Sequence, residues 1–336
     1  MKKLVSILLL FCFYSAISQR PAIENLVFEG AGIRGIAYAG VIKELEQQDI
    51  LSQVKKVGGT SAGAIVALMI SLGYNSDEIS NIIGSTDFRS FNDGKYLFAG
   101  GLNRLKKYFG WYRGNAFERW LQKIISEKTG NADISFKELK NGGFKKLYVT
   151  GTNLNQQKLV IFSNESFPQM KVKDAVRISM SIPLYFEPLY MDEKGAIIKR
   201  PKDKRKVSVM LDGGFIANYP IQLFDDPDLP AERRINPATL GFRIDTDEQI
   251  SNDSLQKGLA PLPVKDLSQY INAFYNILLE NLNRQTLTKE DWQRTVSISD
   301  GKIGPRIRKL SQKELETLVR NGQAATAAYL KKLGFQ

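Results

Sequence analysis

Three short stretches of the chain pair glycine with a residue able to do chemistry. The first is Gly59-Thr60-Ser61-Ala62-Gly63, a GxSxG sequence in which glycines allow a sharp turn and leave a serine hydroxyl at its apex. The second is Gly30-Ala31-Gly32-Ile33-Arg34-Gly35, with GxGxxG spacing. Such a loop suits either of two tasks: cradling the phosphates of a dinucleotide, or presenting backbone N–H groups to the oxyanion of an acyl-transfer intermediate. The dinucleotide reading wants an acidic residue at the end of the next strand, and the nearest one, Asp49, precedes that strand. The third is Asp212-Gly213-Gly214, a carboxylate beside two residues that permit close approach of backbone.

Composition decides what Ser61 can work with. The chain has 336 residues and no histidine, so no Ser-His or Cys-His pair and no imidazole metal site can form. Its one cysteine, Cys12, lies in the first 18 residues, so a chain trimmed there has no thiol and no disulfide. A serine nucleophile must then draw its base from a carboxylate, and Asp212 is the candidate. No metal or cofactor is expected.

Hydropathy patterning supplies the elements that must position these groups. Residues 23–28 form an apolar run that ends at the first glycine loop, and Ile36, Ala39, Ile42 and Leu45 after it have helical spacing. Residues 54–57 form a second short strand that breaks at the GxSxG turn into an apolar helix over 64–72. Strand, loop, helix, twice over, is the signature of an α/β protein with a parallel sheet and covering helices. It would set the glycine loop and Ser61 side by side at the sheet's carboxyl edge. Further on, a helix capped by Asn115 is expected over 116–128, and Ser135 with Glu138 has capping-box spacing. Strands are expected at 147–150, 159–162, 186–191, 207–211 and 241–244, the fourth leading into Asp212, with a short helix over 172–180.

The ends of the chain differ in character. Residues 1–18 carry Lys2 and Lys3, an apolar run, and Ala16-Ile17-Ser18 as a cleavage site, the layout of a secretory signal peptide. The 14 apolar-rich residues from Leu4 to Ile17 fall short of the ~20 that span a bilayer. The protein is therefore expected to be exported: periplasmic, outer-membrane-associated or secreted. A domain over 19–244 would hold the site. Over 245–336, Leu267, Ile271, Phe274, Ile277, Leu278 and Leu282 share one helical face, and Ser311 with Glu314 starts another helix that ends at Gly334. This region is read as helical packing on the sheet domain. The net charge of +12 draws a protein toward anionic surfaces, although the cations are scattered apart from residues 199–206, read as an exposed hairpin insert able to touch lipid head groups.

In this order the three stretches resemble the patatin-like phospholipase family, with its glycine-rich oxyanion loop, GxSxG elbow and late Asp-Gly-Gly. Arg177-Ile178-Ser179-Met180-Ser181-Ile182-Pro183 and Asn218-Tyr219-Pro220 extend the resemblance, which runs from Ile23 to Pro220. It implies a three-layer α/β/α fold with a mainly parallel central sheet, Ser61 as nucleophile and Asp212 as base. It also implies an oxyanion hole from the backbone of Ala31, Gly32 and Ile33, supported by Arg34. Ala31 departs from the family's usual glycine, and its methyl is expected to restrict the loop. The implied activity is hydrolysis of lipid or phospholipid acyl esters through an acyl-enzyme. The alternative is a non-catalytic lipid- or membrane-binding protein on the same fold. Export and scattered charge disfavour nucleic acid as a partner. Head group, acyl position and oligomeric state are not legible.

Overall fold

The computed structural model describes residues 21–94, 97–277, 284 and 286–335; the signal-peptide expectation at 1–18 lies outside them. Strand β1 (Asn25–Phe28) pairs in parallel with β2 (Lys56–Gly59) on one side and β10 (Thr239–Asp245) on the other. β2 pairs in parallel with β4 (Lys146–Asn153), and β10 with β11 (Thr295–Ser299). These five strands are the parallel heart of a nine-stranded sheet covered by helices, the α/β architecture expected. β11 corrects one expectation: the region after residue 245 is not wholly helical, because it adds the sheet's outermost parallel strand.

The other four strands pair antiparallel with their neighbours. β5 (Lys158–Phe162) is antiparallel to β4, and so is β9 (Ser208–Asp212). β9 pairs in turn with β7 (Leu189–Met191), which pairs with β8 (Ile197–Ile198), so that β5, β8 and β9 run against the parallel five. The strand expected at 186–191 is split at Glu187-Pro188, since proline cannot donate to a ladder. Its first residue, Phe186, belongs to β6 (Leu184–Phe186), which joins β3 (Gly110–Tyr112) in a separate two-stranded sheet.

Helices fill the layers. α1 (Ala37–Gln47) follows the glycine loop through a 3₁₀ turn, Gly32–Ile36, and α2 (Ala62–Ser71) follows β2. All ten residues of α2 are buried, as befits a helix apolar on every side. Each of its large aliphatic side chains contributes about 1.5–3 kcal/mol by leaving water. α3 (Asn115–Thr129) starts one residue earlier than expected: its N-cap is Gly114, in the left-handed region at φ 77°, and not Asn115. The capping boxes Ser135–Glu138 and Ser311–Glu314 both form.

The basic stretch 199–206 is stitched down at one end. Lys199 pairs with Glu118 at 2.6 Å and Arg200 with Glu187 at 2.9 Å, so two of its cations are spent on the protein body.

The last helix, α6 (Gln312–Lys332), packs on α1 at glycine contacts. A Cβ on Gly322 would stand 2.0 Å from the Ala37 carbonyl, and one on Gly40 would stand 1.9 Å from that of Val319. Backbones this close tolerate no side chain. Gly322→Val is therefore expected to lower the unfolding free energy by about 3 kcal/mol or more, read by urea denaturation.

Candidate active site

The serine stands where β2 becomes α2. Ser61 takes φ 53° and ψ −121°, a backbone conformation that a non-glycine residue holds only when its surroundings force it. The forcing is visible at Gly63, where a Cβ would stand 2.3 Å from the Phe28 carbonyl, so α2 can press against β1 only without one. Thr60 ties the elbow down: its Oγ1 donates to the Ala217 carbonyl at 2.7 Å and shares a 2.6 Å hydrogen bond with Thr150 Oγ1. Although Ser61 is the N-cap of α2, its side chain makes no capping hydrogen bond, so the hydroxyl is left for other work. The positive end of α2 beneath it favours developing negative charge.

Asp212 reaches Ser61 by a route that the sequence did not disclose. β2 ends with Gly59 opposite Val149 of β4, and β9 ends with Asp212 opposite Gly151 of the same strand. β5 occupies the other edge of β4 from Val149 to Asn153, so β2 and β9 share one edge and meet end to end. Asp212 is thus at a carboxyl end as expected, but of a strand running against β2, and the two strand ends aim their last residues into one gap. The Val149-to-Gly151 offset is about 7 Å along the strand. In that gap the Ser61 hydroxyl donates to Met180 Sδ at 3.3 Å, and the Ser61 side chain is near enough to the Asp212 carboxyl to lower its pKa.

The net effect on Asp212 is upward. Complete burial raises its pKa from 3.8 to about 7, against the opposing pull of the Gly214 N–H, which donates to Oδ1 at 2.8 Å, and of Ser61. A carboxyl poised there is a far better proton acceptor than one at the ordinary value.

The glycine loop sits beside the elbow, as parallel pairing of β1 and β2 requires. Gly30 N–H donates to the Asn218 carbonyl at 3.0 Å, and Asn218 Nδ2 donates back to the Gly30 carbonyl at 3.1 Å. This locks the loop to the segment that follows Asp212. Ala31 takes φ −130°, which any residue accepts, so its methyl costs the loop nothing; Gly32 carries the left-handed φ of 55°. The Ile33 N–H, expected in the oxyanion hole, instead donates to the Pro305 carbonyl at 3.4 Å. Arg34 Nε donates to the Ala31 carbonyl at 3.3 Å, while its Nη1 pairs with Asp300 at 3.5 Å. Gly35 lies against α2, where a Cβ would stand 3.0 Å from that of Ala62. No acidic residue ends β2, so the ribose partner of the dinucleotide reading is missing.

Residues 300–305 therefore form a strap on the loop. A Cβ on Gly32 would stand 2.6 Å from the Pro305 carbonyl, at a φ that an L side chain resists. Gly32→Ala should displace loop or strap and lower ester turnover on the order of 10²-fold, as a misplacement near 1 Å does elsewhere. Steady-state kinetics beside circular dichroism would check it.

Two contributors carried no assigned role at the sequence level. Ser179 Oγ accepts the Ser61 N–H at 2.9 Å, and the Ser181 carbonyl accepts the Asp212 N–H at 3.1 Å. The stretch between them, with Met180, holds both halves of the site. Arg177, on α4 (Val172–Ser179), anchors that stretch: fully buried, it donates to Ser181 Oγ and to the carbonyls of Arg113 and Glu187 at 2.7–3.0 Å. The signal was the serine-rich run itself, Arg177 to Pro183.

A mainly parallel sheet with an elbow serine and a glycine loop at its carboxyl edge places this chain among α/β proteins of the patatin architecture. The chain belongs to the patatin-like phospholipase family, whose model matches residues 26–225. It is 32% identical over 205 residues to protein R571 of Acanthamoeba polyphaga mimivirus, covering 61% of this chain and 62% of the relative. It is likewise 32% identical over 208 residues to YqhO of Bacillus subtilis, covering 59% and 65%. The "probable lipid hydrolase 463L" of Invertebrate iridescent virus 6 is 24% identical over 201 residues, covering 60% and 62%. The matched part thus spans less than two thirds of each relative's length. Among solved structures, VipD from Legionella pneumophila superposes with a TM-score of 0.56 at 14% identity, covering 93% of this chain and 67% of that one, a likeness of fold.

Proposed function

We propose that this protein is an exported serine lipid acyl hydrolase that cleaves fatty-acyl esters through a Ser61–Asp212 dyad. The observation that carries the reading is the end-to-end meeting of β2 and β9, with a buried carboxyl of pKa about 7 facing the elbow serine. Family membership supports lipid acyl hydrolysis in general, and so does the name printed for the iridescent-virus relative.

In the first step Ser61 Oγ bonds to the ester carbonyl carbon as its proton passes to Asp212. The oxygen that becomes negative is held by loop N–H groups; Ala31 and Gly32 are assigned this task, since Ile33 is bonded to Pro305. The carbon–oxygen bond to the alcohol or lysophospholipid breaks, and that oxygen takes the proton from Asp212. Water then adds to the acyl-enzyme, giving its proton to Asp212, and the fatty acid leaves as Ser61 recovers one. A phospholipid substrate and an anionic membrane surface fit the net charge of +12.

Mass spectrometry of products from mixed phospholipid vesicles tests the reading. Free fatty acid and lysophospholipid are expected in equal amounts, and both should vanish with Ser61→Ala. Lipid binding without product would favour the non-catalytic alternative.

A further inference from the structure

The crossover from β10 to β11 carries apolar surface turned outward. It starts at Asp245, the last residue of β10, on the same sheet edge at which Ser61 stands, because β10, β1 and β2 are parallel. Arg284, 39 residues later, pairs with both Asp245 and Asp253. The chain is thus gathered back to the point where it left. Gln249 closes the neck further, donating to the Gly258 carbonyl at 3.1 Å and accepting from the Ala260 N–H at 2.7 Å.

What projects from that neck reverses the usual pattern of a surface helix. Along α5 (Leu267–Asn276) and its C-cap, Leu267, Tyr270, Phe274 and Ile277 follow helical spacing and are 73%, 60%, 54% and 55% exposed. Gln269, Ala273 and Asn276 of the same helix are half-buried. An amphipathic helix packed on a core hides its apolar stripe, so the expectation that Leu267, Phe274 and Ile277 pack on the sheet domain is corrected here. Ile271 shares that stretch, but its side chain lies outside the described set, as do Leu278 and Leu282. The loop before α5 adds exposed Leu255, Leu262 and Val264, flanked by exposed Lys257 and Lys265. Apolar patches of this kind mark interaction sites.

We propose that this face seats the protein on an anionic phospholipid bilayer, with the Leu267–Ile277 stripe entering the head-group boundary and Lys257 and Lys265 at its margin. The inference rests on the lipid-hydrolase reading and names where its substrate surface is met. Three observations favour a bilayer. The segment that carries the patch leaves the sheet at the edge that holds the nucleophile. The chain's net charge of +12 complements anionic lipid. The exposed apolar stripe of α5 suits lying in an interface, and no described helix is long and apolar enough to span a membrane.

The test uses full-length Ser61→Ala protein, so that lipid is bound and not consumed, and vesicles of phosphatidylglycerol with phosphatidylcholine. Leu267→Ser/Phe274→Ser is expected to weaken vesicle co-sedimentation by at least tenfold, and Lys257→Glu/Lys265→Glu by a smaller factor abolished at high salt. With Ser61 restored, the apolar pair should slow vesicle hydrolysis and leave hydrolysis of a soluble short-chain nitrophenyl ester unchanged. Unaltered co-sedimentation, equal binding to pure phosphatidylcholine, or light scattering showing a dimer that the apolar pair dissociates would each overturn the proposal. The two readings fail separately. Parent protein that binds vesicles but cleaves no ester sinks the hydrolase; ester cleavage with partitioning indifferent to the pair sinks the docking face.

Discussion

Ser61→Ala and Asp212→Asn are each expected to lower kcat/KM for a short-chain nitrophenyl ester by about 10⁴-fold or more, with circular dichroism unchanged. The size follows from what the chain lacks. With no histidine among its 336 residues, no imidazole stands behind Asp212. Asp212→Asn keeps shape and an oxygen able to accept from the Gly214 N–H, so the loss would report on the proton and not on packing. Ser61→Gly should be equally inactive yet more stable by about 1 kcal/mol, since glycine takes the φ of 53° without strain. Near-normal turnover by Asp212→Asn would remove the dyad.

The second expectation concerns pH, and its two halves have opposite signs. A base acts when ionised, so kcat/KM should fall as pH drops through about 7, the value to which burial lifts Asp212. An ascending limb at that position would be hard to assign otherwise in a chain without imidazole. Stability runs the other way. Because the folded pKa lies above the unfolded 3.8, the carboxyl favours the folded state below 3.8 and loses that contribution as pH rises through about 7. At pH 8 the buried charge costs on the order of 4 kcal/mol. Asp212→Asn should therefore be more stable than the parent at pH 8, with the difference closing toward pH 4. Urea titrations across that range would measure it, and a pH-independent difference would place the Asp212 carboxyl in contact with water.

How much of this was legible in the sequence differs from residue to residue. The elbow could be read because its chemistry is local: strand, glycine, serine, glycine and apolar helix are consecutive, and neighbouring parallel strands bring the Gly30–Gly35 loop alongside. Asp212 was nameable as a carboxylate beside two glycines. That it ends a strand opposing β2 depends on pairing with β4 some sixty residues earlier, which no local pattern encodes. The same holds for Ser179, which meets the Ser61 N–H across 118 residues. β11 escaped notice because Thr295–Ser299 alternates apolar residues with serines over only five positions. The Pro305 contact with Ile33 was equally invisible, and it gives one expected oxyanion donor a partner within the chain. α5 teaches a different lesson: periodicity locates an apolar stripe but does not say whether the core or something outside the chain will cover it.

The most direct measurement is the rate at which a fluorophosphonate probe labels the protein, followed by intact mass and peptide mapping across pH 5 to 9. If one buried carboxyl takes the serine proton, labelling should fall on Ser61 alone, rise with pH to half its maximum near 7, and be nearly lost in Asp212→Asn. Labelling of Ser61 at the same rate with and without the Asp212 carboxyl would contradict it.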